Sequence, residues 1–209
     1  MTFHPPRRVL GAAACAAALL LAGCSSAPRD QFYTLGGAPV AAGGGASQPA
    51  GATLYFEMRP VTVPAEVRRP QLVVSGAEGR VDLLEHHRWA GPLPDQITGA
   101  LSLALAGELG GVDVYRNPAP EGSTLYRIGA NVQRFESREG EYALLDATWN
   151  VRRLDGGDVQ TCRSVFREPV GSGYEALVAG HRAALARLAA AIAAGVRSQA
   201  AGGGTGCPS

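Results

Sequence analysis

The chain has 209 residues, with 19 Lys and Arg against 18 Asp and Glu, for a formal net charge of +1. That balance, with no basic stripe anywhere, excludes a nucleic-acid binder of the polycationic kind, and charge alone gives no hold on anionic lipid. At 46% hydrophobic residues there is material for one domain with a real core and barely enough for two.

Arg7 and Arg8 precede an apolar run from Val9 to Ala22, followed by Gly23 and Cys24. A basic start, an apolar middle and small residues before a cut site are the layout of a secretory signal. The run has 14 residues, whereas a helix needs roughly 20 to span a bilayer, so it does not read as a permanent transmembrane anchor. Leu21-Ala22-Gly23-Cys24 resembles the bacterial lipobox. The resemblance implies that the Cys24 thiol is diacylated, the chain is cut just before it, and the new amino terminus is acylated. Residues 1–23 are then a signal peptide, and the covalent diacylglycerol and N-acyl chain are the expected non-protein groups. The alternative is a plain signal peptide in which Cys24 is incidental; the spacing from the apolar run and the following Ser25-Ser26 favour lipidation. Removing the signal leaves 186 residues with a net charge of about −1.

Residues 24–31 form a short tether. Phe32-Tyr33-Thr34-Leu35 is too rich in aromatic and β-branched side chains for a solvated leash and predicts the first strand of the body. Residues 36–51 are Gly, Ala, Ser and Pro, the composition of a flexible loop. Leu54, Phe56 and Met58 alternate with polar partners, a half-buried strand ended by Pro60 and Pro64. A hairpin follows, Gln71–Ser75 and Arg80–Glu85, turning at residues 76–79. Asp95 is the expected N-cap of a helix carrying Ile97, Leu101 and Leu105 on one face and stopping at Gly110-Gly111. After a short strand at Val112–Tyr115, three alternating runs (126–133, 143–151, 159–166) predict an antiparallel meander with one buried face. A last helix covers about Tyr174–Ser198, opened by a Ser172–Glu175 capping box. Its Leu177, His181, Leu185, Leu188, Ile192 and Val196 form an apolar stripe among alanines. The expected fold is α+β: a mainly antiparallel sheet with two helices on one face, one domain over 32–200, and a Gly-rich tail at 201–209.

Catalytic signatures are missing. No Gly-x-Ser-x-Gly elbow occurs, and no Gly-rich loop sits between a strand and a helix as phosphate binding requires. His86 and His87 are adjacent on a strand and would point to opposite faces, which rules out chelating one metal together. His181, on an apolar stripe, reads as a hydrogen-bonded core residue. No Cys/His spacing suits zinc. No catalytic or metal-binding residue is therefore assigned, and a non-enzymatic role is expected. Cys162 and Cys207 are an even pair in an oxidising compartment and are expected to form a disulfide; the alternative is one buried and one free thiol. Trp89, Pro92 and Leu93 lie at a strand-to-helix junction. Core packing is the default for the tryptophan, and contact with a partner through these three residues is the sharper alternative.

Taken in order, the lipobox, Phe32-Tyr33-Thr34-Leu35, Arg69-Pro70-Gln71-Leu72-Val73, and Arg88-Trp89 followed by Pro92-Leu93 resemble the ABC-type transport auxiliary lipoproteins, of the paraquat-inducible protein C type. The resemblance covers essentially the whole mature chain; the long Gly/Ala insert after Leu35 departs from it. It implies an outer-membrane lipoprotein facing the periplasm that serves transport of phospholipid between two membranes. The implied partner is a protein with mammalian-cell-entry (MCE) domains, which the lipoprotein would dock or cap. Ser25 and Ser26 fit the outer membrane, since the aspartate of inner-membrane retention is absent. A partner that caps a symmetric ring is itself expected to form a homo-oligomeric ring, with phospholipid as a candidate ligand. The rival expectation is a lipid-anchored periplasmic module binding a small ligand or a protein unrelated to lipid.

Overall fold

The meander is the centre of the molecule. In the computed structural model, which describes residues 29–36 and 54–208, β6 (Leu125–Arg138), β7 (Tyr142–Arg153) and β8 (Gln160–Pro169) pair antiparallel, with Ile128 opposite Val151 and Trp149 opposite Cys162. One face of the alternation is buried, carrying Tyr126, Ile128, Ala130 and Val132 on β6 and Leu145, Ala147, Trp149 and Val151 on β7. β2 (Tyr55–Met58) adds parallel to β6, and β5 (Val112–Asp113) adds parallel to β2, giving the order β5-β2-β6-β7-β8.

A second, three-stranded sheet has the order β1-β4-β3. The expected hairpin is its core: β3 (Gln71–Ser75) runs antiparallel to β4 (Val81–Trp89), with Val73 opposite Leu83. The turn between them places Glu78 at φ 57° and Gly79 at φ 75°, a left-handed conformation that glycine adopts most easily. β4 extends past the expected end at Glu85 because β1 (Gln31–Tyr33) pairs parallel along His87–Trp89. The Phe32–Leu35 segment therefore belongs to the folded body, as its composition predicts.

Both helices start differently from expectation. α1 (Leu93–Leu109) is capped by the backbone of Pro92, whose carbonyl accepts from Asp95 N and Gln96 N. Asp95 lies inside the first turn instead of at the cap, where its charge complements the helix dipole. Pro94 tolerates this early position because its missing N–H would be unsatisfied anyway. α1 stops at Gly110, in the left-handed conformation. α2 (Tyr174–Ala200) has Gly173 as its N-cap, and the Ser172–Glu175 capping box does not form. Gly173 N donates instead to the Glu139 carboxylate at 3.1 Å, and Glu175 turns toward Tyr33.

α2 packs on β7 and β8 and alongside α1. Its apolar stripe is buried as expected, and Ala184, Ala189 and Ala193 are buried with it. By length and composition alone this helix could cross a membrane; here its apolar side is the floor of the core. Ile97, Leu101 and Leu105 of α1 are fully buried, each stabilising the fold by about 1.5–3 kcal/mol. One continuous core joins the two sheets through Tyr33, Leu72 and Trp89. The α+β class and single domain are as expected. The strands divide between two sheets, and the pairings β1–β4, β2–β5 and β2–β6 are parallel.

Candidate functional site

Leu21, Ala22, Gly23 and Cys24 lie outside the described residues. The chain enters view at Arg29 and Asp30 and runs directly into β1. That strand is held on three sides. Ala90 N donates to Tyr33 O at 2.8 Å, Leu35 N donates to Gln96 Oε1 at 2.8 Å, and the Arg182 guanidinium donates twice to Thr34 O, at 3.1 and 2.6 Å. Tyr33 and Leu35 are buried. The Tyr33 hydroxyl sits 2.8 Å from His87 Nδ1 and 3.4 Å from Glu175 Oε1, and His87 meets the Tyr174 ring edge-on at 4.3 Å. Burial, with the Glu175 charge beside it, raises the Tyr33 pKa above 10.

Phe32, just before these anchored residues, does the opposite. It is 64% exposed, on the face away from Tyr33. Val81 and Leu83 of the same sheet are also exposed. Among the described residues Phe32 takes no part in the buried core.

Of the junction residues, Trp89 is 5% and Leu93 1% exposed. Both are core side chains, which corrects the expectation of partner contact through them; Pro92 alone is exposed. The physical reason is the extension of β4, which carries Trp89 inward as the register partner of Tyr33. Trp89 stands edge-on to Phe135 at 6.1 Å, and Phe135 stacks on His181 at 3.8 Å. His181 Nε2 is 2.8 Å from Ser137 Oγ.

The sequence reading missed Phe135 and Ser137. A bulge between Val132 and Arg134 shifts the phase of β6, so that odd-numbered residues face inward after it. The signal was present: Phe135 and Ser137 flank a glutamate in a fresh alternation after two polar residues.

A Ser–His hydrogen bond invites a nucleophilic reading, which the environment refuses. A catalytic pair needs access to substrate and a third group orienting the histidine. Ser137 and His181 are 4% and 1% exposed, and His181 Nδ1 is buried without a partner. Burial pulls the His181 pKa from 6.5 down to about 3, so the ring is a neutral packing element, as its place on the stripe suggests. His86 faces the other way from His87 and contacts Asp30 at 2.9 Å; that hydrogen bond holds the Asp30 carboxyl below its ordinary pKa. Among the described residues no three His, Cys, Asp or Glu side chains are grouped to hold a metal.

A cleft of about 420 Å³ lies between α1 and the β2–β5 end, with Asp113 in its wall. That carboxylate is already occupied, accepting from Met58 N, Tyr115 N and Ser102 Oγ. It ties β2, α1 and the segment after β5 together. At the far end of α2, Cys162 and Cys207 are bonded, with Cα atoms 5.6 Å apart. Gln160 Nε2 donates to Gly206 O beside them. The C-terminal tail is thereby fastened to β8.

The family model of the ABC-type transport auxiliary lipoprotein component matches residues 33–193. The chain belongs to that family. The matched segment runs from Tyr33 in β1 to Ala193 in α2, so it takes in both sheets and both helices of this auxiliary lipoprotein. No curated protein sequence matches significantly. Among solved structures, the auxiliary lipoprotein is similar to an uncharacterized protein at 16% identity and TM-score 0.62, covering 81% of this chain and 99% of that one. It is also similar to a Xanthomonas campestris protein of family DUF330 at 17% identity and TM-score 0.52, covering 70% and 88%. At these identities the likeness establishes a shared fold.

Proposed function

We propose that this auxiliary lipoprotein is a non-enzymatic component of an MCE/ABC-type system moving phospholipid between membranes, anchored in the outer membrane by acylated Cys24. Its body faces the periplasm and docks or caps the periplasm-spanning MCE-domain component, as a homo-oligomeric ring matching the symmetry of that partner. The observation that carries the reading is membership of a transport-auxiliary lipoprotein family, joined to a lipobox only seven residues before a strand locked into the body. Ser25 and Ser26 after the cysteine support the outer membrane, and the Cys162–Cys207 bond suits an oxidising compartment. The Ser137–His181 pair is sealed in the core and the Asp113 carboxylate is spent on structure, which supports a binding role over a catalytic one.

The test is complementation. A strain lacking the gene should show a weakened outer-membrane barrier, read as detergent sensitivity, and the full chain should restore it. Cys24→Ala should remain unprocessed at the inner membrane and fail to restore it. Full restoration by that variant, with normal fractionation to the outer membrane, would remove the lipid anchor from the account.

A further inference from the structure

Phe32 is the most exposed aromatic ring among the described large hydrophobic residues. Tyr33 and Leu35, which follow it, are buried, while its own ring is 64% exposed on the outer face of the three-stranded sheet. On that face its register partner is Arg88, and Arg29 lies exposed three residues before it. Val81 and Leu83, toward the other end of β4, are also exposed. Eight residue steps separate Phe32 from Cys24. At no more than about 3.5 Å per residue the ring stays within roughly 28 Å of the acylated cysteine. The same strand is clamped to α1 and α2 by Gln96 and Arg182, so the short tether limits how far this end of the body can leave the bilayer.

We propose that the Phe32 face is a bilayer-contact surface, with Phe32 seated at the headgroup–acyl boundary of the leaflet that holds the Cys24 chains. This rests on the lipid anchor proposed above. An apolar ring beside an arginine suits that boundary: the ring enters the acyl edge, while the Arg88 guanidinium, whose Nε donates to Glu85 O, keeps its terminal nitrogens at the level of the phosphates. The tether keeps this face within roughly 28 Å of the leaflet that holds the Cys24 chains, so the bilayer is the apolar partner always within its reach. The contact fixes the orientation of the body, holding α2 with its N-terminal end toward the bilayer and the Cys162–Cys207 end away from it.

The test uses the full acylated chain in vesicles of phosphatidylethanolamine and phosphatidylglycerol doped with acyl-brominated phosphatidylcholine. Native Trp89 and Trp149 are buried, so their signal is subtracted with the wild-type protein. Phe32→Trp should add blue-shifted emission that bromine near the headgroups quenches by roughly twofold or more. The control is Val159→Trp, exposed beside β8 near the far end of α2, about 30 Å along the helix from Glu175; it should stay unquenched. Intact-mass measurement reports acylation of Cys24 in the same samples. If the acylated Phe32→Trp protein gives unquenched added emission, or emission quenched no more than that of the Val159→Trp control, the contact is overturned and the anchor stands. A Cys24 without acyl mass overturns the anchor and the contact together.

Discussion

Phe135 lies flat against His181, with ring centroids 3.8 Å apart and planes within 9° of parallel. The stack exists because the β6 bulge turns Phe135 inward, and burial in the core around it keeps His181 neutral.

Stability should therefore depend on pH through His181. Its folded pKa is depressed to about 3, while the unfolded chain protonates near 6.5. Between those values the unfolded state binds more protons, so stability is full above about 6.5 and falls with pH at up to about 1.4 kcal/mol per unit. His181→Leu combined with Ser137→Ala removes the titrating ring and its partner. The thermal midpoint of that variant should be nearly flat from about pH 6.5 to 4.5, where wild type declines. The Asp146 carboxyl, held low by its hydrogen bonds from Arg163, contributes only at lower pH in both proteins. Parallel declines in the two proteins would contradict the assignment.

Most of this was legible in the sequence, and the parts that were not share a cause. The alternations of β2, β3, β6 and β7 and the Tyr174 helix all follow from local pattern. What local pattern does not carry is phase and partner. The bulge hid Phe135 and Ser137, and only the pairing of β1 beside His87–Trp89 decides between the core and partner readings of Trp89. Parallel pairing of β2 with β6 depends on contacts between residues about 70 positions apart, beyond any short-range signal. Exposure of Phe32 was invisible for the converse reason: an aromatic in a short run with Tyr33 and Leu35 reads as core.

Four glycines give opposite predictions. A Cβ on Gly180 would come 2.5 Å from Val170 Cγ1 and 2.9 Å from Ala143 Cβ, and one on Gly195 would meet Gln160 and the Trp149 ring. Alanine at either position gains about 1 kcal/mol of helix propensity but overpacks, at a typical cost of about 1–3 kcal/mol. Net destabilisation is expected, most clearly at Gly180. Gly99 and Gly107 of α1 have open space, so alanine there should stabilise by about 0.5–1 kcal/mol each. Denaturant melts of the four single variants decide it, and a stabilising Gly180→Ala would refute the close approach of α2 to β7.

The Cys162–Cys207 bond closes a loop with a sequence separation of 45. The chain-entropy estimate for such a loop is on the order of 4 kcal/mol. Reduction, or Cys162→Ser with Cys207→Ser, should lower the thermal midpoint and release the tail after Ala200 to proteolysis. An unchanged midpoint, with both thiols titrating freely before reduction, would argue against the bond.

The clamp on β1 is separable from the core. Gln96→Ala with Arg182→Ala removes the side-chain hydrogen bonds to Leu35 N and Thr34 O, each contributing about 0.5–1.5 kcal/mol. Amide exchange across residues 31–35 should speed up by roughly tenfold or more, with the β6–β8 amides unaffected. Unchanged protection of β1 would mean that its pairing with β4 alone secures it.

The role in lipid transport is tested most directly by affinity purification of the acylated protein from its own envelope, with mass spectrometry of the recovered proteins and lipids. An MCE-domain protein is expected in stoichiometric amount, together with its ABC-transporter subunits, and it should be lost when the lipobox cysteine is replaced. Recovery of the lipoprotein alone, or with a soluble protein unrelated to lipid transport, would contradict that role.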